Sequence, residues 1–208
     1  AARSRARALH AELGDPAPLL ATLAERYDRS EWVDAERSAV AAAAALAAAE
    51  RLIDEAATRA ADPTRSALPL LADAERALRG AQAESRRFEE RHRLATDASA
   101  AVDGEISAAR GALREANAVR GELESDDAAR LGAVLTEVAA ALDAVEADAA
   151  RRPTAAVTAI ARLRDRLDLA VGDARTAQQR LKGARSALPG ALAAARDQIA
   201  RAEPRMPA

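Results

Sequence analysis

Apolar residues recur at helical spacing along nearly the whole chain, and Pro and Gly interrupt them only sparsely. Residues 1 to 13 read as a short helix closed by Gly14, a residue suited to a left-handed C-cap. Asp15-Pro16 then opens a second helix carrying Leu19, Leu20, Leu23 and Tyr27, which is expected to end near Asp28 with Ser30 as the next N-cap. From there Trp32, Ala39, Leu46, Ile53 and Ala60 fall seven apart, with Ala35, Ala42, Ala49 and Ala56 at the complementary positions. This is an a/d seam with a small residue at every d, and it predicts a helix over 30–61. The longest series starts at Ala67. Leu71, Ala74, Leu78, Ala81, Ser85, Phe88, His92, Ala95, Ser99, Val102, Ile106, Ala109, Leu113, Ala116, Arg120 and Leu123 alternate steps of three and four without a slip. One helix over 64–123 follows, about 90 Å long at 1.5 Å per residue. Leu131, Leu135, Val138, Leu142, Val145 and Ala149 define a shorter helix over 126–150. Ala156, Ile160, Leu163, Leu167, Ala170, Ala174, Ala177, Leu181, Ala184 and Leu188 define a last one over 154–203, with a kink expected at Pro189 before Leu192, Ala195 and Ile199. Residues 204–208 read as a disordered tail.

The elements alternate short and long, and each short helix joins a long one through a Pro-containing turn: Asp62-Pro63-Thr64 and, 90 residues later, Arg152-Pro153-Thr154. The repeat is architectural. A long helix with one apolar stripe must be covered along its whole length. Helix 30–61 can cover the first half of helix 64–123, and helix 126–150 with the start of helix 154–203 can cover the second. The expected fold is therefore all-α: an elongated antiparallel coiled coil of two staggered, spectrin-like three-helix bundles sharing a long helix, with units at 1–94 and 95–203.

Composition sharpens this reading. Of 208 residues 63 are Ala, and there is one Trp, one Tyr and one Phe. Sheets want β-branched and aromatic residues, so sandwiches, barrels and nucleotide-binding sheets are excluded. Basic and acidic side chains number 31 and 33 and are interleaved, which gives a net charge of -2 and fits solvated helix faces rather than nucleic-acid binding. The longest uncharged run, Ser38 to Ala49, is too short for a membrane span. No signal peptide is visible, and the first residue is Ala, so the chain is expected to be a fragment of a longer protein.

The chemistry on offer is thin. Cys is absent, which removes disulfides and thiolate sites. Glu89 and His92 form an E-x-x-H, the helical pair of di-iron carboxylate proteins, but that site needs a second copy, and the residue three before His10 is Arg7. His92 reads instead as a polar seam residue that sets register. No Ser sits in a Gly-flanked elbow and no Gly-rich phosphate loop exists. Catalytic, cofactor-binding and metal residues are therefore expected to be none, and the fragment is expected not to be an enzyme. Arg3, Arg5 and Arg7 form a small basic cluster that reads either as a solvated helix face or as a contact for lipid head groups or nucleic acid. Arg86, Arg87, Arg91 and Arg93 surround Phe88 but are balanced by Glu84, Glu89 and Glu90, and one Phe does not make a stacking platform for single strands. Ser85, Ser99 and Arg120 weaken the seam locally and face either a partner helix or water. The Ala-rich seam reads as internal packing or as a docking face for another protein's helix.

The segment Arg26-Tyr27-Asp28-Arg29-Ser30-Glu31-Trp32 and the run Ala187-Leu188-Pro189-Gly190-Ala191-Leu192 resemble the helical C-terminal regions of actinobacterial TPM-domain membrane proteins. The resemblance covers most of the chain. It implies a helical stalk on the cytoplasmic side of a membrane, anchored by parts of the parent outside this fragment and engaging a protein partner through helical faces. A more distant similarity is to membrane-tethered division regulators built from spectrin-like repeats. The expected role is scaffolding in the cell envelope. The rival from another class is a membrane-surface coat protein of the phage-shock type, whose helical hairpins bind anionic lipid.

Overall fold

A computed structural model describes residues 2–62 and 64–202, with Leu13, Arg201 and Ala202 as backbone only. The described residues are all-α and form a helical bundle, with six helices and no strand: α1 (Ala2–Leu13), α2 (Ala17–Arg26), α3 (Arg29–Ala60), α4 (Leu68–Gly121), α5 (Ser125–Asp148) and α6 (Pro153–Ala202). The expected disordered tail at 204–208 lies outside the described residues. The long seam is a single helix: α4 continues through Ala95 and Ser99 without a break. Helix assignment also continues through Pro189 in α6.

Local chemistry sets the ends. Gly14 adopts φ +55, which only glycine takes without strain, and so closes α1. Asp15 accepts the Ala17 N–H at 2.9 Å and starts α2. Tyr27 and Asp28 are extended. Ser30 is not the N-cap expected of it: Asp28 holds that position and Ser30 lies in the first turn of α3. α4 begins at Leu68, four residues later than the periodicity suggests. Asp62 accepts both the Thr64 N–H (2.9 Å) and its hydroxyl (2.7 Å), and the Ser66 hydroxyl accepts the Leu68 N–H at 3.3 Å. These side chains take backbone donors out of a helical pattern. The two bonds from Thr64 hold the Asp62 carboxyl below its ordinary pKa.

The chain divides into two compact units, each discontinuous in sequence, rather than into consecutive blocks meeting at 94/95. The first is 1–104 with 146–158; the second is 105–145 with 159–208. In the first unit α3 and α4 form an antiparallel hairpin. Leu46, Ala49 and Ile53 of α3 meet Ala74, Leu78 and Ala81 of α4, with Ala6 and Leu9 of α1 packed beside them. Further along, Ala35 and Ala39 meet Phe88 and Ala95, covered by Leu23 and Tyr27. The d-position alanines of α3 (35, 42, 49 and 56) are at most 2% exposed, and small side chains there let helices approach closely. Ion pairs bind the faces, with Arg91 2.7 Å from Asp34 and Arg3 2.9 Å from Asp54.

The second unit has three helices around Ala116 of α4, Leu131 and Leu135 of α5, and Leu167 and Ala174 of α6. α5 runs antiparallel to both neighbours: Arg110 meets Asp143 at 2.8 Å, and Arg166 pairs with Glu137. α4 and α6 run parallel, with Arg164 3.1 Å from Glu105, Gln178 donating to the Glu122 carbonyl at 2.8 Å, and Arg185 2.7 Å from Glu124. That last contact lowers the Glu124 pKa, first through the hydrogen bond and then through the guanidinium charge.

Nearly every seam position of α4 is buried or half-buried; Arg120 is the exposed exception. A Cβ built on Gly132 of α5 would lie 3.2 Å from Arg120 Nη1 and 3.4 Å from its Cδ. The missing side chain makes room for Arg120, whose stem and guanidinium both lie against the glycine.

Two outcomes follow from this packing. Leu78 is 4% and Leu142 0% exposed, so Leu78→Asp or Leu142→Asp strands a charge in a seam and should lower stability by more than about 3 kcal/mol. Circular dichroism melts unchanged by both would refute the seam assignment. For Glu124 the folded pKa is depressed, so its contribution is present above the usual carboxylate range and is lost as pH falls through the folded value. Normalised to the intrinsic exchange rate at each pH, the protection of α6 around residues 182–188 should fall slightly over that acid range in the wild type. In Glu124→Gln the same small loss of protection should be present already at neutral pH.

Candidate functional site

The two histidines do not meet. His10 is exposed at the end of α1, with Nδ1 3.6 Å from Glu50 Oε1. His92 is half-buried on α4, its ring 6.4 Å from Phe88 at a 42° tilt. Glu89 points outward. Among the described residues no three His, Cys, Asp or Glu side chains gather as a metal site would need. The basic residues expected to cluster are distributed over ion pairs: Arg3 with Asp54, Arg87 with Glu84, and Arg91 with Asp34. Ser85 is buried at 7% exposure and Ser99 half-buried. Ser38 is also buried, although the α3 seam does not include it.

Two concavities are lined by described residues. A cleft of about 180 Å³ lies where the α1–α2 turn spans α3 and α4, walled by Ala42, Leu46, Ser85 and Phe88, with His10 and Glu50 at the rim. A second, of about 350 Å³, lies between the start of α5 and α6, beside Asp127, Arg130, Val134 and Asp173. Alanines of α3 form one wall of the first, and neither brings a nucleophile against a base.

Specific polar chemistry concentrates elsewhere, at a junction within the first unit. The turn after α5 docks on the turn between α2 and α3. Asp28 donates its N–H to the Arg151 carbonyl at 2.9 Å, and Arg151 returns Nε to Asp28 Oδ1 at 3.3 Å and Nη1 to the Glu25 carbonyl at 3.4 Å. Beside it, Glu31 accepts the N–H groups of Thr154 (2.9 Å) and Ala155 (3.2 Å). Those are orphan donors at the start of α6, where the helix dipole also favours a carboxylate. Pro153 has no N–H to leave unsatisfied, and its ring is fully buried. Glu31 thus caps a helix 123 residues away in sequence.

The same segment builds the floor of the junction. Tyr27 is 3% exposed and packs with Leu23, Phe88 and a half-buried Trp32. Arg26 stacks 5.4 Å from the Tyr27 ring centroid and Arg29 5.1 Å from that of Trp32. The Tyr27 hydroxyl and the Trp32 indole N–H are buried with no partner among the described residues. So Arg26 to Trp32, the stretch with the most distinctive sequence, works as a structural joint. Its residues are visible as a motif, but the partner Arg151 reads in the sequence only as one more turn arginine.

No family model matches this chain, and neither a curated protein nor a solved structure matches it. No described helix is long and apolar enough to cross a membrane.

Losing the Glu31 carboxylate leaves two helix-terminal donors uncapped. Glu31→Ala should therefore cost about 1–2 kcal/mol, and Arg151→Ala should add to it by less than its single effect because both hold one turn. Tyr27→Phe removes a hydroxyl that has no partner among the described residues and should leave the unfolding free energy level or raised. Chemical denaturation of the four variants, with the double one included, measures all of this.

Proposed function

We propose that this chain is a non-catalytic scaffold: a helical stalk of a larger, membrane-anchored envelope protein that holds a protein partner through its helical faces. In this reading the two units are staggered, spectrin-like bundles sharing α4, and the stalk stands on the cytoplasmic side of the membrane. The observation that carries the proposal is the use made of specific polar groups. The best-organised cluster, Asp28, Glu31 and Arg151, fastens one turn to another. Cross-helix pairs such as Arg91–Asp34 and Arg110–Asp143 do the same between helices. Side chains committed to holding helices in place suit a spacer. The TPM-type resemblance at Tyr27–Trp32 and Ala187–Leu192 supports a membrane-protein context.

One observation favours the coat-protein reading. Leu188, Leu192 and Ile199 of α6 are 49–60% exposed on a stretch that carries several basic residues, and interfacial helices have that character. Sedimentation velocity with and without phosphatidylglycerol vesicles decides between the two. The scaffold should sediment unchanged beside the vesicles. Co-sedimentation with large assemblies would overturn it in favour of the coat.

A further inference from the structure

The apolar stripe of α6 does not stop where its cover stops. Leu167 and Ala174 are buried in the second unit, and Leu181, in the same heptad phase, is half-buried. The next position, Leu188, is 56% exposed, and Leu192 and Ile199 continue the same face at 49% and 60%. From Lys182 to Ala200 every residue is exposed, so no described residue packs on this face.

The chain itself contains a model of what covers such a face. The second half of α4 is covered by α5, a short antiparallel helix. α5 is acidic: Asp126, Asp127, Glu137, Asp143, Glu146 and Asp148 stand against Arg130 alone. Its carboxylates pair outward, Asp143 with Arg110 of α4 and Glu137 with Arg166 of α6. The uncovered part of α6 has the matching charge. Lys182, Arg185 and Arg196 stand against Asp197, a net of +2 from three bases and one acid, and Arg180 lies just before them. Arg185 is already tied to Glu124, which leaves Arg180, Lys182 and Arg196 to meet a partner's carboxylates.

We infer that this end of α6 docks an acidic, Leu- and Ala-rich amphipathic helix of another protein, lying antiparallel to it as α5 lies on α4. This rests on the scaffolding reading and names the surface and the chemistry of its partner. A second copy of the chain fits less well. Two of these basic faces repel each other, and the chain's own acidic helix is engaged, with Leu131, Leu135, Val138 and Leu142 buried. A lipid surface also fits less well. Interfacial helices bury bulky side chains, whereas this face alternates three large residues with Ala184, Ala191 and Ala195. That is the small-residue pattern that α3 uses to receive another helix.

The test uses the full chain and a labelled synthetic peptide with the sequence of α5, Ser125–Asp148, followed by fluorescence anisotropy. The peptide should bind saturably and more weakly as salt rises. The double variant Leu188→Asp, Leu192→Asp should weaken binding at least about tenfold while its circular dichroism melt stays unchanged, since both positions are exposed. A peptide with the six acidic residues replaced by lysine should not bind. Equal binding to wild type and variant, or none to the wild type, overturns the inference. So does a dimer in sedimentation equilibrium that the double variant dissolves, which assigns the face to a second copy. Phosphatidylglycerol vesicles captured by the wild type and released by the variant overturn both this inference and the scaffold. If neither peptide nor vesicle binds, the inference fails while the scaffolding proposal stands.

Discussion

An α-helix with one apolar stripe cannot leave that stripe in water, and α4 imposes the requirement over 54 residues. The remaining architecture answers it. α3 returns antiparallel over the first part, and α1 and α2 fill the third side in turn. Over the later part α5 and α6 take their places. The alanine-rich seam determines how they do so. Small residues hold the axes close, which multiplies dispersion contacts along the backbone and leaves little to individual large side chains. Charged residues on the flanks then fix partner and direction through cross-helix pairs. Exposed pairs of this kind contribute little energy each; their value is in selecting register among helices whose apolar faces are nearly alike.

Alike faces make slippage the chief hazard of such a fold, and the junction around Glu31 counters it. A seam of repeated alanines tolerates displacement by a heptad at small cost. The bonds from Asp28, Glu31 and Arg151 do not, because they need one backbone turn at one place. The aromatic residues Tyr27, Trp32 and Phe88 gather beside the same point. Bulk and directional bonding are scarce in this sequence, and they are spent together where alignment has to be unique.

Most of the helical layout was legible because its signal is periodic. Leu78, Phe88, Val102 and Ile106 announce their burial by spacing alone, and all four are buried. The helix starts were harder. Leu68 in place of Thr64 depends on which side chain captures a backbone N–H, and Asp28 in place of Ser30 on where the backbone turns from extended to helical without any side-chain cap. The burial of Ser38 was missed because close helix approach widens the buried face beyond a strict a/d stripe. Of the chemistry-bearing residues weighed in the sequence, Glu89 and His92 are neighbours on α4, one exposed and the other half-buried, while His10 stands on α1 beside Glu50. The junction was half-readable. Tyr27 to Trp32 stood out, but a bond linking residue 31 to residue 154 has no periodicity to betray it.

The first unit includes residues 146–158, which follow residues 105–145 of the second along the chain. During synthesis, the α3–α4 hairpin leaves the ribosome with its fastening still untranslated, and α5 must emerge before Arg151 and Thr154 can reach Asp28 and Glu31. The amino-terminal half therefore cannot close as soon as it is made, and its closure reports that translation has carried past the fifth helix.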